Sequence, residues 1–139
     1  MQAPNQAVRH LDPQETALSD PNFVILCVKS PTDSAAFYAG LLGKAAVEAS
    51  PGFAMFALDS GTMLGLWAAH TGEPAATAAG GAEIAYAVDG IDTVKSRHAT
   101  WRARGLTIAQ APTALNFGFT FVALDLDGHR LRVFAPGGA

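Results

Sequence analysis

The sequence predicts an α+β fold of two tandem βαβββ modules, because the same order of elements occurs twice along the chain. Each half has an apolar run, a helical segment ended by glycine and three short strands, over residues 22–69 and again over 81–136. In the closest local match, 53–59 aligns with 119–125. Duplicated strand-rich units usually curve around a shared cavity. We therefore expect a curved mixed sheet around a cavity, helices on its outer face, and functional side chains pointing inward.

Composition narrows the class of protein. The chain has 139 residues, 50% of them hydrophobic, which is enough to bury one core. The net charge is only -3 and the Lys and Arg residues are scattered, so neither a nucleic acid nor a membrane surface is expected as a partner. A single cysteine, Cys27, allows no internal disulfide, and no secretion signal is evident. These features predict a cytoplasmic protein with a small-molecule partner.

Domain boundaries follow from local composition. Residues 1–20 are polar, contain two prolines and predict a flexible arm outside the fold. The first module is expected over 21–70 and the second over 82–136, joined by an Ala/Gly/Thr-rich linker over 71–81. Together they predict one structural domain over 21–136.

The first module begins with residues 22–29, an apolar run that predicts a strand buried on both faces. A helix follows, with Thr32 or Asp33 as its N-cap and Gly43 in the left-handed conformation at its end. Turn residues at 50–52 and 60–61 separate three further strands. Those strands are expected over 46–49, 53–58 and 62–68.

The second module repeats this order. A strand over 82–88 precedes a helix over 92–104, which has an apolar stripe and ends at Gly105. Its remaining strands are expected over 106–110, 119–124 and 130–134. The segment 111–118 is longer than its counterpart in the first module and predicts a lip over the cavity.

Two motifs carry a family resemblance. Ser-Ala-Ala-Phe-Tyr at 34–38 is followed by Leu42-Gly43, and Asp-Leu-Asp-Gly-His at 125–129 precedes the last strand. With the duplicated module order, this pattern resembles the vicinal oxygen chelate superfamily, which includes glyoxalase I, extradiol dioxygenases, fosfomycin resistance enzymes and metal-free bleomycin resistance proteins. The runs 53–56, 63–70 and 117–121 are most similar to the phenazine antibiotic resistance subgroup, whose members bind a tricyclic aromatic at a dimer interface.

The resemblance also implies where metal ligands would lie. In metal-using members the ligand positions match Phe23, Gly65, Glu83 and Arg132 of this sequence. Only Glu83 can bind a divalent ion, since a phenyl ring and a glycine offer no donor and a guanidinium repels cations. We therefore expect no metal and no cofactor. Arg132 can instead take the place of the cation and pair with Glu83, although a solvated, incidental pair is the alternative.

Strand alternation assigns the cavity lining once these positions are taken as inward-facing. On that basis Arg130 also faces inward, while Cys27 is expected to be structural rather than nucleophilic. A core role is the alternative for the aromatic residues of the sheet, above all for Phe119 and Phe121. The candidate ligand-binding residues are Phe23, Phe53, Met55, Met63, Trp67, His70, Glu83, Phe117, Phe119, Phe121 and Arg132.

This lining favours a flat, mostly apolar ligand stacked on aromatic rings. The first functional hypothesis is metal-independent binding and sequestration of a planar aromatic antibiotic, of the phenazine or bleomycin type, by a homodimer with no catalytic residue. The second is a metal-dependent glyoxalase-like lyase or dioxygenase that draws its ligands from Glu48, Glu83, His70 and His129. A metabolite-sensing module is a third possibility.

Overall fold

The computed structural model describes residues 21–137, so the predicted arm over 1–20 lies outside the described residues. The predicted α+β fold with two βαβββ modules is confirmed. In chain order the elements are β1 (Phe23–Val28), α1 (Pro31–Leu42), β2 (Glu48–Ala49), β3 (Phe53–Ala57), β4 (Met63–Ala68), a 3₁₀ turn (Ala69–Thr71), β5 (Glu83–Ala87), α2 (Gly90–Ala103), β6 (Thr107–Leu115), β7 (Gly118–Leu124) and β8 (Arg130–Pro136).

The described strands form two four-stranded sheets, one for each module. Their strand orders are β1-β4-β3-β2 and β5-β8-β7-β6, with β1 parallel to β4 and β5 parallel to β8. Helix α1 packs on the first sheet and α2 on the second, so each sheet keeps one face free of helix. We call these the open faces. No helix among the described residues is long and apolar enough to cross a membrane.

Strand β1 differs from its predicted environment. Phe23, Val24 and Ile25 are 49%, 40% and 51% exposed, and the strand is fully buried only at its last residue, Val28. The prediction of burial on both faces is wrong because β1 is an edge strand that pairs with β4 on one side only within the described chain. An apolar edge of this kind is available for pairing with another chain.

The N-cap of helix α1 is Ser30, two residues before Thr32 and three before Asp33, the predicted caps. The Ser30 hydroxyl accepts a hydrogen bond from the backbone N–H of Asp33 at 3.1 Å, and Pro31 occupies the first turn. Proline is tolerated in the first turn because a backbone N–H at that position would have no partner within the helix. With Ser30 as the cap, Thr32 and Asp33 are helical residues rather than caps. The predicted end at Gly43 is confirmed by its φ of 68°.

The predicted lip over 111–118 is wrong, since β6 continues through Leu115 and pairs with β7. Register shifts between Ile108 and Thr113 absorb the extra residues as bulges in the strand. Only Asn116 and Phe117 remain in the hairpin turn. The extra length therefore extends the second sheet and carries Phe117 to its rim.

One hydrophobic core spans both modules. Its largest buried side chains include Tyr38 and Phe56 from the first module and Trp101 and Phe121 from the second. In the second module Trp101 contacts Phe121 edge to face, with ring centroids 5.5 Å apart. The core therefore contains side chains of both modules.

A buried hydrogen bond also joins the modules. The Tyr38 hydroxyl, on α1, donates to the Asp125 carboxylate at 2.6 Å, in the turn between β7 and β8. The same carboxylate accepts from the backbone N–H groups of Asp127 and His129. Burial, and then the adjacent Asp125, raise the pKa of Tyr38 far above its usual value, so the phenol stays a donor.

We expect Tyr38→Phe to lower the free energy of unfolding by about 1.5–3 kcal/mol, the range for a hydrogen bond to a charged group. The matched control is Tyr86→Phe, because the half-buried Tyr86 hydroxyl makes no hydrogen bond to another described residue. The control is expected to change stability by about 0.5 kcal/mol or less. Urea unfolding measures both variants, and equal losses would show that the link between modules contributes little.

Candidate functional site

The open face of the second sheet carries an unusual set of charges. Phe121 contacts His98 and Trp101 of α2, so its side chain points toward that helix. Ala123, Leu131 and Val133 share this face, and the residues that alternate with them point to the open face. These alternating residues include Thr120, Val122, Arg130 and Arg132, and Glu83 lies beside Arg130 on β5.

Glu83 is held by two arginines. Arg132 donates from Nε to Oε1 at 2.7 Å and from Nη2 to Oε2 at 2.9 Å, which is the bidentate arrangement of a guanidinium on a carboxylate. Arg130 adds a contact from Nη2 to Oε2 at 2.6 Å. The predicted pairing of Glu83 with Arg132 is therefore present, and it is a directed interaction rather than an incidental one.

Neighbouring strands hold Arg132 in place. Its Nη1 donates to the Thr120 hydroxyl at 3.1 Å and to the Gln110 side-chain oxygen at 3.5 Å. The Phe117 ring covers the guanidinium at 5.5 Å and meets Phe134 edge to face at 5.9 Å. Because every nitrogen of Arg132 has a partner and its side chain is only 13% exposed, this guanidinium is fixed.

This environment stabilises the ionised form of Glu83. The hydrogen bond from Arg132 is the main cause that lowers the pKa of Glu83 below its usual value, and the charges of Arg132 and Arg130 act in the same direction. Partial desolvation opposes them but is outweighed. The carboxylate therefore remains charged, and its oxygens are engaged by guanidinium groups rather than free for an ion.

The open face of the first sheet is aromatic and sulfur-bearing. Phe53 pairs with Trp67, and Met55 pairs with Gly65, so these four residues share one face of the sheet. A Cβ atom on Gly65 would lie 3.0 Å from the Phe53 ring. Gly65 thus allows Phe53 to lie flat across the strand, and a glutamate at this position would displace the ring. By the same alternation Phe23 and Met63 also lie on this face.

Two predicted lining residues point the other way. Phe121 is fully buried against Trp101 and His98, and Phe119 packs against the core with Lys95 Nζ 5.8 Å from its ring centroid. The prediction that Phe119 and Phe121 face the cavity is wrong. Thr120 and Val122 occupy the open face in their place, because a shift of one residue along a strand reverses the face of every side chain.

The remaining polar candidates lie apart. His70 is exposed in the 3₁₀ turn, whereas His129 is half-buried with Nε2 3.0 Å from the Cys27 carbonyl oxygen. Among the described residues, no three His, Cys, Asp or Glu side chains cluster closely enough to hold a metal ion. The alternative set of Glu48, Glu83, His70 and His129 is not brought together.

The donor atoms at the family ligand positions decide whether a metal ion fits there. Phe23 and Gly65 provide no donor atom, Arg132 carries a fixed positive charge, and Glu83 is bound by that charge. These residues therefore do not fit a divalent ion at this position.

The candidate residues form two groups. One, on the first sheet, contains Phe53 and Trp67, and the other, on the second sheet, contains Glu83, Arg132 and Phe117. Within residues 21–137 no hydrogen bond, ion pair or ring contact joins these groups. The sequence placed Arg130 on the open face, but neither its contact with Glu83 nor the support from Thr120 and Gln110 could be read from spacing alone.

Comparison with known proteins agrees with this fold. The family model described as the glyoxalase/bleomycin resistance protein/dioxygenase superfamily matches residues 21–133. The chain therefore belongs to that superfamily, as the two motifs indicated. Among curated proteins no sequence match was found.

Solved structures show the same architecture. A protein from Agrobacterium tumefaciens, determined by solution NMR, is 45% identical with a TM-score of 0.81, and the match covers 87% of this chain and all of that one (100%). A glyoxalase-related enzyme from Fulvimarina pelagi is 21% identical with a TM-score of 0.74, covering 85% and 88% of the two chains. Lactoylglutathione lyase from Agrobacterium tumefaciens is 16% identical with a TM-score of 0.68, covering 85% and 94%. The two distant matches show the fold alone.

The Glu83 ion pair predicts a pH-dependent stability. Since the folded pKa lies below the unfolded value of about 4.3, ionised Glu83 stabilises the fold fully above that value and loses its contribution as pH falls through the folded pKa. We expect Glu83→Gln to lower the free energy of unfolding at pH 7 by about 1 kcal/mol. The difference from wild type should shrink below about pH 4.

Urea unfolding at a series of pH values measures this difference. Glu48→Gln is the control, because Glu48 is exposed and has no ion-pair partner among the described residues. Its difference from wild type should stay small at every pH. A Glu83→Gln effect that grows on acidification would contradict the assigned pair.

Proposed function

We propose that this protein binds and sequesters a planar aromatic small molecule without a metal ion. The observation that carries the proposal is the pairing of Glu83 with Arg132 on the open face of the second sheet. The open face of the first sheet carries the aromatic side chains of Phe53 and Trp67. The carboxylate at the superfamily's metal position is already neutralised by a guanidinium. Binding then depends on rings and shape rather than on coordination to an ion.

The first open face has the chemistry for stacking. Trp67 and Phe53 are half-buried, so each ring has a supported side and an accessible side. Met55 and Met63 add polarizable sulfur nearby, which adapts to flat ligands of different outline. Offset stacking of a ligand on such rings contributes about 0.5–1.5 kcal/mol beyond the burial of apolar area.

Sequestration requires no catalytic residue, and its protective effect follows from mass action, because the protein must match the ligand in concentration. We propose protection against a phenazine- or bleomycin-like antibiotic, exerted in the cytoplasm, as the biological role. The observation in support is the aromatic surface that Phe53 and Trp67 form on the open face of the first sheet. Superfamily membership adds the precedent of binding proteins on this fold.

A second copy of the chain is proposed to complete the cavity. In the described structure β1 and β5 each lie at the end of a sheet, and β1 exposes Phe23 and Ile25. A two-fold arrangement that sets β1 of one copy against β5 of the other covers both edges at once. It would also place the aromatic group of one copy opposite the Glu83 group of its partner.

Titration with phenazine, followed by tryptophan fluorescence, tests ligand binding. The chain has two tryptophans whose emission should respond differently to a bound ligand. Trp67 lies on the open face, whereas Trp101 is 3% exposed in the core. We expect quenching in the wild type and in Trp101→Phe, and little quenching in Trp67→Phe. Loss of stacking alone, about 0.5–1.5 kcal/mol, should weaken binding by roughly 2- to 12-fold in Trp67→Ala, and the lost apolar contact area should add to this. Emission that stays unchanged across a panel of planar aromatics would contradict the proposed function.

Sedimentation velocity tests the assembly. We expect a dimer at micromolar concentration in the wild type and dissociation in Ile25→Glu, because a buried, unpaired charge disfavours association. Ile91→Glu is the matched control, since Ile91 is 49% exposed, close to the 51% of Ile25, but lies on α2. A monomeric wild type, or equal effects of the two variants, would contradict pairing through β1.

A further inference from the structure

The open face of the second sheet holds more positive than negative charge. Two guanidinium groups, those of Arg130 and Arg132, meet one carboxylate, that of Glu83. The nearby turn carboxylates of Asp125 and Asp127 are used elsewhere, accepting from the Tyr38 hydroxyl and from the backbone N–H of Lys29. Among the described residues, Glu83 is therefore the carboxylate that both guanidinium groups share in direct ion pairs.

The two arginines differ in how they are used. All three nitrogens of Arg132 donate hydrogen bonds, to Glu83, Thr120 and Gln110, so its role is to position the carboxylate. Arg130 contacts Glu83 through Nη2 alone. Its Nε is buried and has no hydrogen-bond partner among the described residues. Because that Nε is enclosed by the protein, it is Nη1, which makes no hydrogen bond or ion pair with another described residue, that can donate to a ligand.

A cavity of about 430 Å³ on this face is lined in part by Arg130. Ala109, Val122 and Leu124 form its apolar part, and Arg130 and Gln110 supply its polar groups. Such a size is within the usual range for small-molecule sites, and the combination suits a ligand with an apolar body and one anionic group. The Arg130 side chain is 41% exposed, so the part of its guanidinium that does not contact Glu83 is accessible to such a ligand.

We propose that Arg130 binds the carboxylate of the ligand, so that the preferred ligand is a planar aromatic acid rather than a neutral aromatic. This inference rests on the proposed function and narrows its ligand class. A carboxylate would accept from the N–H groups that Arg130 does not give to Glu83, in a charge-assisted hydrogen bond. Arg132 and Glu83 would hold Arg130 in place.

Calorimetric titration with two nearly isosteric probes tests the inference. At pH 7.5 phenazine-1-carboxylate is an anion and phenazine-1-carboxamide is neutral, while both keep the same ring. We expect the wild type to bind the carboxylate about tenfold more tightly than the carboxamide. Raising the salt concentration should reduce this preference, because a half-exposed ion pair is screened.

Arg130→Met keeps an unbranched apolar stem but removes the guanidinium charge, and the tenfold preference should disappear while carboxamide binding persists. Arg102→Met is the control, because Arg102 is exposed at the end of α2, and it should keep the preference. Equal binding of both probes by the wild type would overturn the inference but leave the proposed function standing. Binding of neither probe would overturn both. If Arg130→Met does not fold, the wild-type preference and its salt dependence decide.

Discussion

The bidentate pairing of Arg132 with Glu83 is the interaction on which the candidate site depends. It neutralises the carboxylate at the position where metal-using relatives of this fold are expected to bind an ion, and it does so with a group that cannot lose its charge. Thr120, Gln110 and Phe117 in turn fix the guanidinium. The contribution of such a half-buried pair is specificity of arrangement more than stability, since desolvation offsets much of the attraction.

The division of candidate residues between two sheets has a chemical consequence. The first sheet offers rings and thioethers with no charge nearby on the same strands, β3 and β4. The second offers two guanidiniums and a carboxylate beside small alanines on β5. Neither surface alone encloses a ligand. An aromatic acid placed between two such surfaces would have its ring bound by one module and its charge bound by the other. This division of roles accounts for the different side chains on the two open faces.

Much of this arrangement could be predicted from the sequence. The module order, Gly43 and the pairing of Glu83 with Arg132 all follow from local pattern and resemblance. The error at Phe119 and Phe121 arose from the sequence match of 53–59 with 119–125, which is displaced by one residue from the structural correspondence. In the structure the pair Ala57 and Met63 corresponds to the pair Leu124 and Arg130, so equivalent residues of the two modules lie 67 positions apart. The sequence match places them 66 positions apart. Bulges in β6 and the exposure of β1 depend on tertiary pairing and have no local signal.

The central claim, that Arg132 takes the place of a metal ion, is tested most directly by measuring metal content and ligand affinity on the same protein. Protein purified without chelator should contain far less than one equivalent of Ni, Zn, Fe or Mn per chain, and its affinity for phenazine-1-carboxylate should be the same before and after treatment with EDTA. A divalent ion bound in stoichiometric amount, whose removal abolishes binding and whose return restores it, would show that Arg132 does not take the place of the metal.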